Sequence, residues 1–371
     1  MRIKCLFVIW SLERGGAERF LAGLLEHLDR SKFDPTLCCL NWKGEWAAPL
    51  EAKGLKVIAL EKKGGLDLDA FRRLKNIIKE GEYHIVNTHL WAADVMGRVA
   101  AFQCGIPVVV STAQNVDVWK KWHHRAVDRW LAGRTDQLIA VSAAVKEYYH
   151  HCVGFPEEKI TVIPNAIDVE RYRDPGDIGY LYEELEVGAE DFILACVGRL
   201  NHQKGHPYLF QAMKELSGTL PELRILIVGE GEDRTRLEAM ANELGIMPML
   251  RFTGQRADIP ALLQLVDALI LPSVFEGLPL CVLEAMAAAR PVIATDVGGT
   301  AELAVDGETA FIVPPRRPEA LKDAILRLRR LPDGGQSMGA RGREVVGREF
   351  SIQNSTKKTE KLFTALLKGK L

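Results

Sequence analysis

Several features that would place a protein in a specialised class are missing from this 371-residue sequence. No stretch approaches the roughly 20 consecutive apolar residues that a membrane-spanning helix needs. The formal net charge of -1 gives no strongly basic surface, so we do not expect nucleic acid as a partner. No cluster of metal-ligating residues is visible either. What remains is 47% hydrophobic and 26% charged residues, a composition typical of a soluble globular protein.

The sequence also lacks paired cysteines. Its seven cysteines are scattered and none forms a C-x-x-C pair, so we interpret them as small buried hydrophobic residues in a reducing compartment. The apolar run near the N-terminus spans roughly six residues, which is too short for a signal peptide, and charged Glu13 and Arg14 follow it. We therefore expect a cytoplasmic protein, at most peripheral at the inner face of the cell membrane.

Short runs rich in Val, Ile and Leu alternate with longer amphipathic stretches along the whole chain. This alternation predicts two doubly wound α/β domains with parallel sheets. Strands are expected near residues 3–10, 35–40, 56–60, 84–88, 107–111 and 137–141, and again near 192–197, 224–228, 250–252, 268–271, 291–294 and 311–313. Because ligands of such sheets bind beyond the carboxyl ends of the strands, we expect the active site in a cleft between the domains.

The domain boundaries follow from composition. We predict an N-terminal domain over 1–170 and a linker over 171–190, where Pro, Gly and acidic residues interrupt any period. A C-terminal domain over 191–348 follows. Residues 349–371 have helical spacing but come after that domain is complete, so we expect a helix that packs back across the hinge.

Two loops between a strand and a helix have the residues of an anion site. Gly15 and Gly16 precede a predicted helix, whose N-terminus favours an anion, although a plain tight turn explains the pair equally well. In the second half, Arg199 and Lys204 lie on a similar loop and match a diphosphate in charge, unless they are ordinary surface charges. The later G-x-G run has Arg234 at its third glycine position, so the dinucleotide fingerprint is incomplete.

The segment SVFEGLPLCVLEAM places Glu276 in a loop and Glu284 in the helix that follows. Two such carboxylates can be an acid/base pair, a metal site or two acceptors for hydroxyl groups. A carboxylate beside a phosphate is repelled, so neutral polyols suit these positions better. For Glu284 the alternative is a charge on the helix surface, which its apolar neighbours disfavour.

Together these motifs resemble the retaining glycosyltransferases of family 4. The resemblance rests on E-x7-E from Glu276 to Glu284, G-R-x4-K-G from Gly198 to Gly205, the loop Gly15 to Glu18, and VIPNAID at 162–168. It covers nearly the whole chain and implies the glycosyltransferase B fold, in which two Rossmann-like domains face each other across a cleft and a C-terminal helix crosses back to the N-terminal domain.

The implied activity is that of a retaining hexosyltransferase. It would move a hexose or N-acetylhexosamine from a sugar nucleotide, expected to be UDP-linked, to a glycan or lipid-linked acceptor in polysaccharide or glycoconjugate synthesis. Arg199 and Lys204 would bind the diphosphate, Glu276 the donor sugar, and Glu284 the ribose. The implied donor-binding residues are Gly15, Gly16, Gly198, Arg199, Lys204, Gly254, Gln255, Glu276, Gly277, Leu278, Pro279, Leu280 and Glu284.

The resemblance also implies a same-face attack in which the leaving diphosphate takes the acceptor's proton. Its implied catalytic residues are Glu276, Arg199, Lys204, Gln114 and His89. Many family members have a His that contacts the donor sugar where this sequence has Gln114. Either that role is mainly positional, or His89 substitutes from a neighbouring strand end. No metal and no cofactor are expected, since the sugar nucleotide is a substrate.

A basic aromatic stretch, Trp119–Arg125, lies in a predicted helix. It suits an anionic membrane surface near a lipid-linked acceptor, although an ordinary protein surface explains it as well. Two other classes of function stay open. One is a sugar-nucleotide epimerase or hydrolase on the same scaffold, and the other is a sugar-nucleotide-binding protein without activity.

Overall fold

A computed structural model divides the chain into two compact units. The first unit comprises Met1–Ala166 with Ile352–Leu371, and the second comprises Ile167–Ser351. The structure describes residues 2–13, 15–65, 67–174 and 176–370. The stretch that we expected to be a linker is counted with the second unit. It contains helix α7 (Gly179–Glu184), whose Leu181 is fully buried.

The first unit is built on a seven-stranded parallel sheet with the strand order β3-β2-β1-β4-β5-β6-β7. The strands are β1 (Ile3–Ile9), β2 (Phe33–Cys39), β3 (Lys56–Ala59), β4 (Ile85–His89), β5 (Val108–Ala113), β6 (Gln137–Ala140) and β7 (Ile160–Val162). The helices are α1 (Gly16–His27), α2 (Ala47–Ala52), α3 (Leu68–Gly81), α4 (Trp91–Gln103), α5 (Trp122–Ala132), α6 (Ala143–Glu147), a π-helical turn (Tyr148–Val153) and the C-terminal α15 (Ile352–Lys368).

Helices cover both faces of this sheet, which explains why its strands are almost continuously apolar. On one face, Phe363 and Leu367 of α15 pack into the same core as Leu21 and Leu25 of α1. The other core contains Leu74 of α3 with residues of α4. The predicted C-terminal helix is therefore present and belongs to the first unit.

The second unit has a six-stranded parallel sheet with the order β10-β9-β8-β11-β12-β13. Its strands are β8 (Phe192–Val197), β9 (Leu223–Val228), β10 (Leu250–Gly254), β11 (Ala268–Leu271), β12 (Val292–Thr295) and β13 (Phe311–Val313). Its remaining helices are α8 (His206–Leu216), α9 (Arg234–Glu243), α10 (Ile259–Leu265), α11 (Leu280–Ala287), α12 (Thr300–Leu303), α13 (Pro318–Arg329) and α14 (Gln336–Glu349).

All twelve predicted strands are present, which confirms two parallel α/β sheets. The short edge strand β7 was not predicted, because three residues give no readable period. Among the described residues, none of the helices combines the length and the apolar character that crossing a bilayer requires.

Candidate functional site

The loops that follow β8 and β11 meet in the second unit because these two strands are neighbours in a parallel sheet. Lys204 ends a short 3-10 turn after β8, and Glu276 follows β11. The Lys204 ammonium nitrogen lies 2.7 Å from Oε1 of Glu276. The backbone joins the same loops, since the N–H of Val274 donates to the carbonyl of Gln203 at 2.8 Å. Two residues predicted separately therefore form one ion pair.

Glu276 is 5% exposed and accepts three side-chain hydrogen bonds. Besides Lys204, the hydroxyl of Ser273 donates to Oε1 at 2.7 Å, and Nε2 of Gln203 donates to Oε2 at 3.2 Å. Neither Ser273 nor Gln203 was predicted. Their position is the signal that the sequence offers. Gln203 directly precedes Lys204, and Ser273 lies three residues before Glu276. These donors fix the carboxylate in one orientation.

The Lys204 ammonium stays charged. Burial lowers the pKa of Lys204, but the Glu276 carboxylate raises it further, so the net pKa is above the ordinary value. Lysine has three N–H donors. Within the described part of the chain, Glu276 is the one hydrogen-bonded or ion-paired partner of this ammonium group. The remaining donors can bind an anion.

Two glycines allow the loops to approach so closely. Gly205 has φ +64, and a Cβ there would lie 2.0 Å from the carbonyl oxygen of Pro272. Gly298 has φ +54, and its Cβ would lie 1.9 Å from the carbonyl oxygen of Glu276. Both positions require a left-handed backbone and no side chain. Any other residue at these positions would displace the loop that carries Glu276.

Glu284 lies on α11 and is 4% exposed. Its burial excludes the alternative of an ordinary charge on the helix surface. The helix begins at Leu280, and the N–H of Gly299 donates to the carbonyl of Gly277 at 2.8 Å, which fixes the turn before it. The turn Gly277–Pro279 and the two carboxylates thus belong to one ordered segment.

The other predicted donor residues of the second unit lie around this edge of the sheet. Arg199 follows β8, is exposed, and has no side-chain partner within the described part of the chain. Gly254 ends β10 with φ +71, and its carbonyl accepts from the N–H of Gly229 at 2.8 Å. Gln255 follows and is exposed. Gly198 packs against the Lys204 side chain, where a Cβ would lie 2.7 Å from Cε.

In the first unit, Gly15 is the N-cap of α1 and Gly16 is its first residue. A Cβ on Gly15 would lie 2.1 Å from a carboxylate oxygen of Glu18. The strand-to-helix turn that we predicted is therefore present. It is also tight, so both the plain-turn and the anion-site interpretations remain compatible with it.

His89 is the last residue of β4, and Gln114 directly follows β5. These two strands are neighbours in the first sheet. His89 is buried, and its Nε2 lies 2.6 Å from Oδ1 of Asn87. Burial lowers the pKa of His89 to about 3, so the ring is neutral. Nε2 of Gln114 is buried without a hydrogen-bond partner within the described residues. Nδ1 of His89 is likewise buried without a hydrogen-bond partner within the described residues, so both side chains keep an unused polar atom.

The basic aromatic stretch differs in one respect from its sequence-based prediction. Lys120 precedes α5 and is buried in an ion-pair network, so it is not available to a membrane or any other external partner. We expected Lys120 to be exposed because it lies in the basic stretch Trp119–Arg125, and helical spacing does not reveal its buried partners. Trp119, Lys121, Trp122 and His123 are exposed as expected.

Among the described residues, no group of three or more His, Cys, Asp and Glu side chains has the arrangement of a metal site. The two buried carboxylates, Glu276 and Glu284, can accept hydrogen bonds, and Lys204 and Arg199 bring N–H donors on the loop after β8. This combination can bind a ligand that carries both hydroxyl groups and phosphate.

Comparisons with known proteins agree with this chemistry. The model of the family "Glycosyltransferase Family 4" matches residues 14–171, and that of "Glycosyl transferases group 1" matches residues 182–345. The putative glycosyltransferase EpsD of Bacillus subtilis is 31% identical over 317 residues, which cover 81% of each chain. An Escherichia coli enzyme, UDP-Gal:alpha-D-GlcNAc-diphosphoundecaprenol alpha-1,3-galactosyltransferase, is 30% identical over 272 residues, covering 71% of this chain and 70% of its own.

The fold is similar to that of solved structures. The crystal structure of Anabaena Alr3699/HepE in complex with UDP and glucose superimposes with a TM-score of 0.88 at 23% identity. The match covers 98% of this chain and all of that one. WaaG, a glycosyltransferase involved in lipopolysaccharide biosynthesis, gives a TM-score of 0.78 at 18% identity, covering 97% and 99%.

Proposed function

This chain belongs to glycosyltransferase family 4, and we propose that it transfers a hexose or N-acetylhexosamine with retention from a UDP-linked donor to a glycan or lipid-linked acceptor. The observation that carries the proposal is the buried Lys204–Glu276 pair, held by Ser273 and Gln203 where the loops after β8 and β11 meet. It places a fixed hydroxyl acceptor beside a cation that still has free donors.

In the proposed reaction, Glu276 accepts hydrogen bonds from donor-sugar hydroxyls, and Glu284 accepts from the ribose. The bond between the anomeric carbon and the diphosphate oxygen breaks, and a bond from that carbon to the acceptor oxygen forms on the same face. The acceptor's proton passes to the departing diphosphate. Lys204, Arg199 and the N–H groups at the start of α11 stabilise the developing negative charge. No carboxylate then has to act as acid or base.

Support for the donor and the acceptor comes from relatives. HepE was crystallised with UDP-glucose, and the E. coli relative is named for UDP-Gal and a diphosphoundecaprenol acceptor. We therefore propose a UDP-hexose as donor and a polyprenyl-diphosphate-linked sugar as one acceptor, as in cell-surface polysaccharide synthesis. We also propose that no metal is required, because Arg199 and the N–H donors of Lys204 would bind the diphosphate themselves. Turnover unchanged by EDTA would agree with this, and loss that Mg²⁺ restores would refute it.

The decisive experiment is incubation with a panel of sugar nucleotides, in which slow donor hydrolysis is scored without an acceptor. Glu276→Ala should lose hydrolysis and transfer while the nucleoside diphosphate still binds. Analysis of the sugar product separates the alternatives. A changed sugar still attached to the nucleotide would identify an epimerase. Nucleotide binding with no turnover on any acceptor would favour a binding protein.

The exposed side chains of the segment 119–130, which comprises the end of the loop before α5 and most of α5, support a membrane as a further partner. Trp122 is 81% exposed, and Trp119 and Trp130 are also exposed. The one acidic residue between 118 and 134 is Asp128, which is buried, whereas Lys121 and Arg129 are exposed. An apolar and basic face of this kind suits an anionic bilayer.

Co-sedimentation with vesicles of phosphatidylglycerol and phosphatidylcholine tests this contact. Trp122→Ala combined with Lys121→Gln should reduce binding at least about tenfold, because both an aromatic anchor and a charge are lost. Trp42→Ala is the matched control, since Trp42 is 48% exposed on a different loop. Equal binding of all three proteins would refute the proposed contact.

A further inference from the structure

The loop 114–121 connects β5 to α5 and has neither helix nor strand structure. It carries Gln114, whose buried amide nitrogen has no partner in the described part of the chain, and Trp119, which is exposed. A loop without regular structure orients such side chains only if other contacts fix it. Those contacts lie at its far end, around Lys120.

Lys120 is almost completely enclosed, and three oxygens surround its ammonium nitrogen. Oδ2 of Asp117, Oδ2 of Asp128 and the hydroxyl of Tyr149 each lie 2.8 Å away. The hydroxyl of Tyr149 accepts a hydrogen bond from the ammonium, and the two carboxylates are its ion-pair partners. Burial lowers the pKa of Lys120, but Asp117 and Asp128 raise it further, and the net pKa is above the ordinary value. The ammonium is therefore charged and ion-paired with two carboxylates inside the first unit.

The same contacts hold the loop from three sides. Asp128 lies on α5 and also accepts from Arg98 of α4 at 3.0 Å, and Arg98 in turn pairs with Asp94. Oδ2 of Asp117 accepts a hydrogen bond from the hydroxyl of Tyr149 at 2.8 Å. A buried lysine with two carboxylates is costly to desolvate, so stability alone does not explain why it is there.

The π-helical turn Tyr148–Val153 directs two consecutive tyrosines to the same residue of the loop. Tyr148 donates to the carbonyl of Asp117 at 2.6 Å, and Tyr149 donates to its carboxylate. Oδ1 of Asp117 also accepts from the indole N–H of Trp119 at 3.2 Å. Single π-helical turns are rare and occur frequently at functional sites. Asp117 thus connects the buried network to the exposed end of the loop.

We propose that Lys120 and Tyr149 are positioning residues for sugar transfer, which fix the loop 114–121 through Asp117 and so hold the Gln114 amide in place. This inference rests on the proposed function and on a contact between Gln114 and the donor sugar, which the family resemblance implies. The network lies wholly in the first unit, whereas Lys204, Glu276 and Glu284 lie in the second. Its loss should therefore reduce turnover and leave the affinity for UDP intact.

The test compares Lys120→Met and Tyr149→Phe with Lys146→Met. Lys146 is the matched control, because it pairs with Glu157 at 2.9 Å on the surface of the same unit. Lys120→Met should raise amide hydrogen exchange in peptides covering 114–121 at least about tenfold and lower kcat about 10- to 100-fold. The Kd for UDP should stay within about twofold. Tyr149→Phe should shift exchange and kcat in the same directions by less, and Lys146→Met should shift neither.

Two results would overturn the proposal: unchanged exchange in 114–121, or faster exchange there with unchanged kcat. If Lys120→Met does not fold, Tyr149→Phe decides by the same two readouts. A wild-type protein that neither binds UDP nor consumes any sugar nucleotide would refute the proposed function instead. Exchange that rises only in 114–121 would then still confirm that these residues fix the loop.

Discussion

Replacing Glu276 by Gln keeps the shape of the side chain and removes its charge. An amide oxygen in the place of Oε1 can still accept from both Lys204 and Ser273, but the new NH2 group then faces Nε2 of Gln203, 3.2 Å away, which is also a donor. One favourable hydrogen bond becomes a contact between two donors. The Lys204 ammonium also loses its carboxylate, so the substitution perturbs the contacts with Gln203 and Lys204.

The expected loss of stability follows from these contacts. Removing one partner of a fully buried ion pair costs about 3–5 kcal/mol, and a hydrogen bond to a charged group contributes about 1.5–3 kcal/mol. The Lys204 side chain is 15% exposed, so the pair is not fully buried. We therefore expect a loss of about 2 kcal/mol in the free energy of unfolding, within the range for a hydrogen bond to a charged group. For a unit of this size, that lowers Tm by roughly 4–8 °C. Differential scanning calorimetry of Glu276→Gln and of Ser273→Ala, which leaves the ion pair intact, measures it.

The effect on activity should be larger than the effect on stability. The donor-sugar hydroxyls lose a charged acceptor, which is worth about 2–3 kcal/mol and lowers kcat/KM roughly 30- to 150-fold. Because Glu276 is proposed as a hydroxyl acceptor and not as an acid or base, the pH–rate profile of Glu276→Gln should keep both of its limbs. A variant with wild-type kcat/KM, or one that loses a limb of the profile, would refute the assigned role.

Three further predictions follow from the same structure. Gly298→Ala should lower the free energy of unfolding by roughly 2–4 kcal/mol and reduce turnover, because its Cβ would collide with the Glu276 carbonyl. Urea unfolding measures the loss. Gly307→Ala is the control for backbone strain alone, since Gly307 has φ +76 but open space around it. Gln114→His should keep turnover within about tenfold, since both side chains donate an N–H, and a larger loss in a donor-consumption assay would contradict this. Burial lowers the pKa of His206 to about 4, whereas the pKa in the unfolded chain is about 6.5. As the pH falls from about 6.5 to 4, the unfolded chain binds this proton more readily than the folded one, so the free energy of unfolding decreases. Between pH 7 and pH 5 the wild type should therefore lose about 2 kcal/mol more stability than His206→Leu, and parallel curves would contradict it.

The sheets could be predicted because parallel strands covered on both faces leave long apolar runs in the sequence. The helix α14 was missed, since Gly339 and Gly342 interrupt its pattern and few of its residues are buried. Gly339 is required by packing, as its Cβ would lie 2.0 Å from the carbonyl of Ala289. That requirement comes from tertiary structure, so no local pattern in the sequence contains it.

The site was predictable in its residues but not in their contacts. Lys204 and Glu276 were assigned to different parts of one ligand, and their ion pair depends on β8 and β11 being neighbours, which strand spacing does not specify. Lys120 was misjudged for a related reason. Its partners Asp128 and Tyr149 lie 8 and 29 residues further along the chain, and only the fold brings them together.

The Lys204–Glu276 contact also changes how positive charge is distributed at the proposed site. The Glu276 carboxylate lies against the Lys204 ammonium and offsets its charge, so the pair contributes little net charge toward a diphosphate. Arg199 has no side-chain partner within the described residues and is the exposed cation of the same loop. We infer that Arg199 provides most of the long-range attraction for the diphosphate, whereas Lys204 orients both Glu276 and a phosphate oxygen at short range. Guanidinium geometry suits the first task, and the three donors of an ammonium group suit the second.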